Sequence, residues 1–159
     1  VGSRKPKFVL GLDPGLEGAG VLLGSLGLVM YTFKISECVY KLKHRKMYDT
    51  EALFLKFVEA SEMAKRAGAK LVIVIENGYR FPKLTFGIGV LWALAHRCEP
   101  EKVVLIAPRT WQRTAGIKKA DKKVSILQAK KLLNLDTLDH NTAEAALIAH
   151  YQHKIERGA

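Results

Sequence analysis

The sequence predicts an α/β fold: one mixed sheet of five strands, three antiparallel and then two parallel, flanked by helices. Three observations carry this. Short apolar segments open the chain and are divided by turn signals, Asp-Pro-Gly at 13–15 and Ser-Leu-Gly at 25–27. Two later segments, KLVIVIE (70–76) and KVVLIAP (102–108), are almost continuously apolar, as parallel strands covered on both faces are. Between and after them, apolar residues recur at helical spacing.

Each element follows from its own residues. KFVLGLD (7–13), GAGVLLG (18–24) and GLVMYTF (27–33) read as an antiparallel meander. The basic stretch 40–49 shows no regular period. From Thr50, apolar residues at 53, 54, 57, 58, 60, 63 and 64 form a helical stripe, with Thr50 as the expected N-cap and Gly68 as the stop. Residues 77–84 read as a loop, 85–98 as a helix despite its glycines, and 122–135 and 141–156 as two further helices. The order is β-β-β-α-β-α-β-α-α. It contains no internal repeat and no linker, so residues 1–159 are expected to form a single domain. Residues 1–6 are expected to be disordered or foreign to the natural chain.

Composition limits the function. A chain of 159 residues that is 48% hydrophobic and 26% charged is expected to fold and to bury about two-thirds of its unfolded surface. Its apolar runs are far short of the roughly 20 residues that span a bilayer, and no signal peptide is visible. No membrane partner is expected. Cys38 and Cys98 lack metal-binding spacing and are expected to be free thiols in a reducing compartment. Lys and Arg number 26 against 15 acidic residues, a net charge of +11. Such an excess favours a polyanion, with nucleic acid the leading partner through counterion release. A generally solvated basic surface is the plainer reading.

Two acids stand where chemistry is expected. Asp13 ends the first strand and Glu76 the fourth. Ligands of open α/β sheets favour the crevice beyond the carboxyl ends of the strands. If the two strands are neighbours, the carboxylates lie side by side and repel unless a cation separates them. Hard oxygen ligands favour Mg2+ or Mn2+. Each acid also has a structural reading, Asp13 as the first residue of a β-turn and Glu76 as a strand end beside an Arg.

The segment LDHNTAEAALIAHY (138–151) adds a third group. His140 and Glu144 are i, i+4 and Asn141 and Glu144 are i, i+3, so each pair shares a helix face. Ala143, Ala145 and Ala146 would let this helix press close to a sheet. Alternatively, Asp139 or Asn141 caps the helix and Glu144 completes a capping box from Asn141.

Taken in order, GLDPGLEGAG, VIVIENGYR and HNTAEAALIAHY resemble the RuvC family of Holliday junction resolvases, which has the retroviral-integrase/RNase H fold. APRTWQRTAGIKKADKKVSILQAKKLL resembles the phage-type and plant chloroplast-type branch. The likeness spans residues 7–152 and implies an RNase H-like fold and a crossover junction endonuclease. It places the family's acids on Asp13, Glu76 and Glu144. Many relatives carry Asp where this chain has Asn141. The chloroplast-type HxxxE arrangement instead falls on His140, which is the expected fourth ligand, with Asn141 and Asp139 as weaker candidates. An Asp replaced at position 141 would make the chain an inactivated trap.

The resemblance implies paired symmetric nicks by two-metal hydrolysis, with two Mg2+ ions per site and Mn2+ as a substitute. Asp13 would bridge the ions, Glu76 would hold one, and Glu144 with His140 the other. His140 could instead shuttle protons, since imidazoles exchange protons near neutral pH. Lys122 matches a lysine near the scissile phosphate; a solvated lysine is the alternative. Tyr79, Arg80, Phe81 and Lys83 combine stacking with phosphate contact, and Tyr79 or Phe81 would stack on an unpaired base unless both rings belong to the core. Lys118, Lys119 and Lys123 complete the expected DNA contacts. The helix 85–97 is more apolar than one covering face needs, which fits a homodimer, and Gly87 and Gly89 would permit close helix approach; a fully buried helix is the alternative.

The expected location is the cytoplasm or nucleoid of a bacterium, or that of a virus's host, with an organelle left open. No nucleotide cofactor is expected. Actin- and sugar-kinase-type ATPases share the strand–Asp–Gly opening but need two copies of the fold, for which 159 residues leave no room. The remaining alternatives are a nuclease acting on RNA–DNA hybrid or other branched DNA, and a catalytically disarmed junction-binding protein.

Overall fold

The computed structural model describes residues 5–78, 82–118 and 121–158, without the side chain of Lys83. In chain order the elements are β1 (Lys7–Asp13), β2 (Ala19–Leu23), β3 (Val29–Lys34), a 3-10 turn (Ile35–Cys38), β4 (Val39–Leu42), β5 (Arg45–Tyr48), α1 (Thr50–Arg66), β6 (Lys70–Glu76), α2 (Pro82–Arg97), β7 (Lys102–Ile106), α3 (Pro108–Thr114), α4 (Lys122–Leu133) and α5 (His140–Gly158). The main sheet has the order β3-β2-β1-β6-β7. β1, β2 and β3 pair antiparallel, and β6 and β7 continue from β1 in parallel. This is the five-stranded mixed sheet that the sequence predicts, of RNase H-like topology.

Strand alternation divides the core into two layers. Phe8, Leu10 and Leu12 of β1 join Leu71, Ile73 and Ile75 of β6 under α1 and α2. Val9 of β1 joins Val72 and Val74 of β6 under α4 and α5, with Trp111 of α3 in the same cluster. Among the described residues, no helix is long and apolar enough to cross a membrane. Cys38 and Cys98 are both free.

The structure departs from expectation where short-range signals are weak. Residues 39–48 form a two-stranded hairpin, β4–β5, rather than an irregular stretch. α1 is capped by Asp49, whose carboxylate accepts from the Ala52 N–H at 3.0 Å, so Thr50 is the first helical residue and not the cap. α2 begins at Pro82, inside the segment read as a loop, because proline suits a first helical turn. The strand expected over 102–108 stops at Ile106, and Pro108 opens the short helix α3. α4 ends where Asn134 takes the left-handed conformation.

α5 lies against the central strand, and Gly11 is the reason that it lies so close. A Cβ at this position would run into the backbone carbonyl of Ala145 and the backbone nitrogen of Ala149. The helix face that meets it is built of Ala145, Ala146 and Ala149, all fully buried. At its far end α5 is fixed by Glu156. Its carboxylate accepts from Lys7 at 2.8 Å and Gln152 at 2.6 Å, and Lys102 approaches to 2.5 Å. Burial alone would raise this carboxyl, but the hydrogen bonds from Lys102, Lys7 and Gln152 lower it to about 2.

Because backbone rather than a flexible side chain blocks the space, Gly11→Ala must displace α5 or strain β1. We expect it to lower stability by about 1–3 kcal/mol, the usual cost of overpacking. Urea unfolding measures this, and an unchanged midpoint would mean that α5 can slide without penalty.

Candidate active site

Alternation also aims the two acids. Asp13 shares a face with Val9 and Gly11, and Glu76 shares one with Val72 and Val74, so both carboxylates belong to the layer of α5. Leu12 and Ile75 are paired across β1 and β6, which sets Asp13 and Glu76 at the ends of neighbouring strands. Glu144 enters from α5, one residue before the Ala145 carbonyl that abuts Gly11. Three carboxylates from three elements therefore face the carboxyl edge of the sheet, near enough for the charges of Glu76 and Glu144 to act on Asp13.

Their surroundings disfavour charge. Asp13 is only 7% exposed. Burial raises its carboxyl well above the usual range, and the charges of Glu144, Glu76 and Asp139 add to the shift. Glu76 is also raised by burial, opposed by the Trp111 indole N–H, which donates to Oε2 at 2.5 Å. Glu144 is raised by burial and then by Glu76. His140, a hydrogen bond from Ser125 and Lys122 partly offset this. Among the described residues, no Lys, Arg or His forms an ion pair with any of the three acids. The cluster is electrostatically unbalanced.

The donor set fits a hard divalent cation. Carboxylate oxygens suit Mg2+ or Mn2+, and no thiolate stands among them. Among the described residues, no three His, Cys, Asp or Glu side chains stand close enough together to hold a metal ion among them. Mg2+ commonly takes one or two carboxylates and keeps its other positions for water and substrate oxygens, so an open set suits it.

The remaining expected residues fall around this centre. His140 is the first residue of α5, half-buried, and its charge acts on Glu144. Asn141 lines a groove together with Gly15 and Gly18 of the turn after β1. Asp139 is the helix cap: it accepts from the Thr142 N–H at 3.2 Å and from the Thr142 hydroxyl at 2.6 Å. The capping box expected from Asn141 to Glu144 does not form, which leaves Glu144 to the acid cluster. Lys122 is exposed at the start of α4 and its charge reaches Glu144. Lys118 and Lys123 are exposed beside it. Tyr79, Arg80, Phe81 and Lys119 lie outside the described residues, as does the side chain of Lys83.

Two residues of the centre escape a reading for charged ligands. Trp111 is fully buried and orients Glu76, 35 residues earlier in the chain, so only tertiary packing brings its N–H to that acid. Ser125, on the buried face of α4, donates to Glu144 Oε1 at 3.4 Å, and nothing local in the sequence marks it.

No protein-family model matches the sequence, and no curated protein matches it significantly. Solved structures do. Thermus thermophilus RuvC superposes with a TM-score of 0.61 at 16% identity, over 95% of this chain and 96% of that one. T. thermophilus RuvC in complex with a Holliday junction substrate gives a TM-score of 0.60 at 19% identity, over the same shares. The chain thus has the fold of RuvC along nearly its whole length.

Trp111→Phe removes the one hydrogen bond that holds the Glu76 carboxyl down. We expect its titration, followed by carbon NMR, to move to higher pH; an unmoved titration would mean that the indole only packs. A second prediction concerns stability. The Asp13 carboxyl is raised in the folded state, so its ionisation opposes folding above the unfolded value of 3.8. In EDTA at pH 7, Asp13→Asn should melt higher than the parent, with the gap closing as pH falls toward 4. A lower midpoint would show that the carboxylate is compensated.

Proposed function

We propose that this chain is a divalent-metal-dependent endonuclease that resolves four-way DNA junctions by paired, symmetric nicks. The observation that carries the proposal is the unbalanced placement of Asp13, Glu76 and Glu144 at one sheet edge, in a chain of net charge +11. Acids placed so are stabilised by cations, and a basic exterior draws a polyanion toward them. The similarity to RuvC, which has been solved with a Holliday junction substrate, supports the choice of junction DNA.

In this reading Asp13, the most buried of the three acids, would hold the Mg2+ ions together with Glu76, Glu144 and His140, with Mn2+ as a substitute, while Asn141 is a neutral neighbour. When bound, such ions supply charge to the attacking and leaving oxygens of the phosphodiester. The protein's own groups do the rest. Trp111 and Ser125 fix the orientation of Glu76 and Glu144. If His140 is not needed as a ligand, it stands at the mouth of the site where it can hold or release a proton. Lys122, exposed at the head of α4, meets the charge that grows on the phosphate.

Paired nicks need two such sites related by a two-fold axis, hence a homodimer. α2 offers a face for it. Trp92 is 38% exposed, with Gly89 open to solvent one turn before it. Gly87 has a different use from the one expected, since it is covered within the chain by the Tyr48 hydroxyl.

End-labelled four-way junction, matched linear duplex and RNA–DNA hybrid, each with Mg2+, Mn2+ or EDTA, test the proposal. Metal-dependent nicks at symmetric positions of the junction alone are expected. Glu76→Gln should abolish them while junction binding persists, and Lys122→Ala should cost about 10²–10³ in rate. Cleavage of the hybrid would reassign the substrate, and tight junction binding without cleavage would make the chain a binder.

A further inference from the structure

The β4–β5 hairpin is folded against three local rules at once. Its turn falls on Lys43 and His44, where hairpins of this length favour Asn-Gly, and Lys43 sits at φ 55°, in the left-handed region that costs an L side chain energy. Lys41 lies directly across from Lys46, a like-charge pair that weakens a sheet. Leu42, at the tip, is 55% exposed. A two-stranded sheet is marginal to begin with. Devices of this kind persist where function, rather than stability, selects them.

The hairpin is nevertheless firmly rooted. Tyr48 is buried, and its hydroxyl covers Gly87 of α2 so closely that any side chain there would clash. The Asp49 N–H donates to the Cys38 carbonyl at 2.8 Å, closing the base. Lys46 pairs with Glu17 of the β1–β2 turn at 3.0 Å. Lys41, Lys43 and Arg45 are exposed and form no ion pair among the described residues.

Between the hairpin, the β1–β2 turn and the start of α2 runs a groove of about 1030 Å³. Leu16, Leu84, Phe86, Arg45, Lys46 and Asn141 are among the residues that line it. Asn141 belongs to the first turn of α5, three residues before Glu144. The groove therefore reaches from the basic hairpin to the helix that carries Glu144.

We propose that the β4–β5 hairpin is a backbone clamp: Lys41, Lys43 and Arg45 hold the phosphates of a DNA strand that passes over this hairpin. Charge complementarity selects the occupant: Arg45 lines the groove beside Leu16 and Leu84, and Lys41 and Lys43 stand exposed on the same hairpin, a mixture of cations and apolar surface that suits the alternation of phosphate and base along a strand. The inference rests on the nuclease reading, and it adds a strand path outside the catalytic acids.

The test is fluorescence anisotropy of labelled four-way junction, linear duplex and RNA–DNA hybrid in EDTA, titrated across a range of KCl. The proteins are the full chain, the triple variant Lys41→Ala, Lys43→Ala, Arg45→Ala, and the single variant Lys43→Asn. Each lost phosphate contact should flatten the log–log salt slope by about 0.9, so the triple variant should lose roughly 2–3. Lys43→Asn should lose about 1 and yet melt higher than the parent, since asparagine tolerates the left-handed conformation. That opposite movement of stability and binding is what a merely structural turn would not give. A triple variant with the parental slope would overturn the clamp. A parent that fails to prefer the junction, with a slope that still falls in the variant, would sink the junction reading and leave the clamp standing. Tighter binding of the hybrid than of either DNA would overturn the assignment of DNA as the occupant.

Discussion

The contact on which the rest depends is that of α5 with β1 at Gly11. Asp13 stands two positions after Gly11, and Glu144 directly precedes the Ala145 whose carbonyl covers Gly11. A helix standing farther off, as it would over a larger strand residue, would carry Glu144 away from the strand ends. The alanine face 145, 146 and 149 serves the same approach from the other side. Packing distance in the core thus sets the spacing of charges at the edge. Sheet pairing then brings in the third acid, because β6 lies parallel to β1 and ends in step with it.

That arrangement works against the fold at one end of α5 and is offset at the other. Near the N-terminus three acids are gathered where burial and mutual repulsion raise their carboxyls. Near the C-terminus Glu156 has two lysines and a glutamine, and its carboxyl is driven down to about 2. One helix therefore carries an unfavourable cluster and a favourable one, some twelve residues apart. Lys7 and Lys102, which hold Glu156, come from the starts of β1 and β7, so the anchor grips the same sheet whose far edge bears the acids. The anchor at one end of α5 thus offsets the cost of the acids gathered at the other.

Much of this was legible in the sequence, for identifiable reasons. Period-two alternation in β1 and β6 and the alanine-rich stripe of α5 are long-range patterns, and they put Asp13 and Glu76 at the ends of neighbouring strands with Glu144 on the helix packed against β1. The failures are local. The hairpin 39–48 has four-residue strands, a lysine where a turn glycine is usual, and no apolar alternation, so no periodic signal exists to find. Asp49 and Thr50 are both good caps, and only the backbone geometry decides between them. Pro82 could end a loop or start a helix with equal ease. Trp111 and Ser125 become part of the site only through tertiary packing, which brings α3 and α4 over the strand ends.

The electrostatic design has a consequence for order of events. The exterior attracts a polyanion at long range, but the centre repels it at short range, because Asp13, Glu76 and Glu144 confront any phosphate with like charge. A strand held by Lys41, Lys43 and Arg45 would reach the edge of that acidic region and stop until cations neutralise it. In the proposed reading binding and chemistry are separable: basic groups on the hairpin and α4 would supply the first, and the acids with their cations the second. Asn141, which lines the groove three residues before Glu144, is neutral there. An acid at that position would extend the repulsive zone into the groove; an amide leaves the strand's path open to the last turn before Glu144.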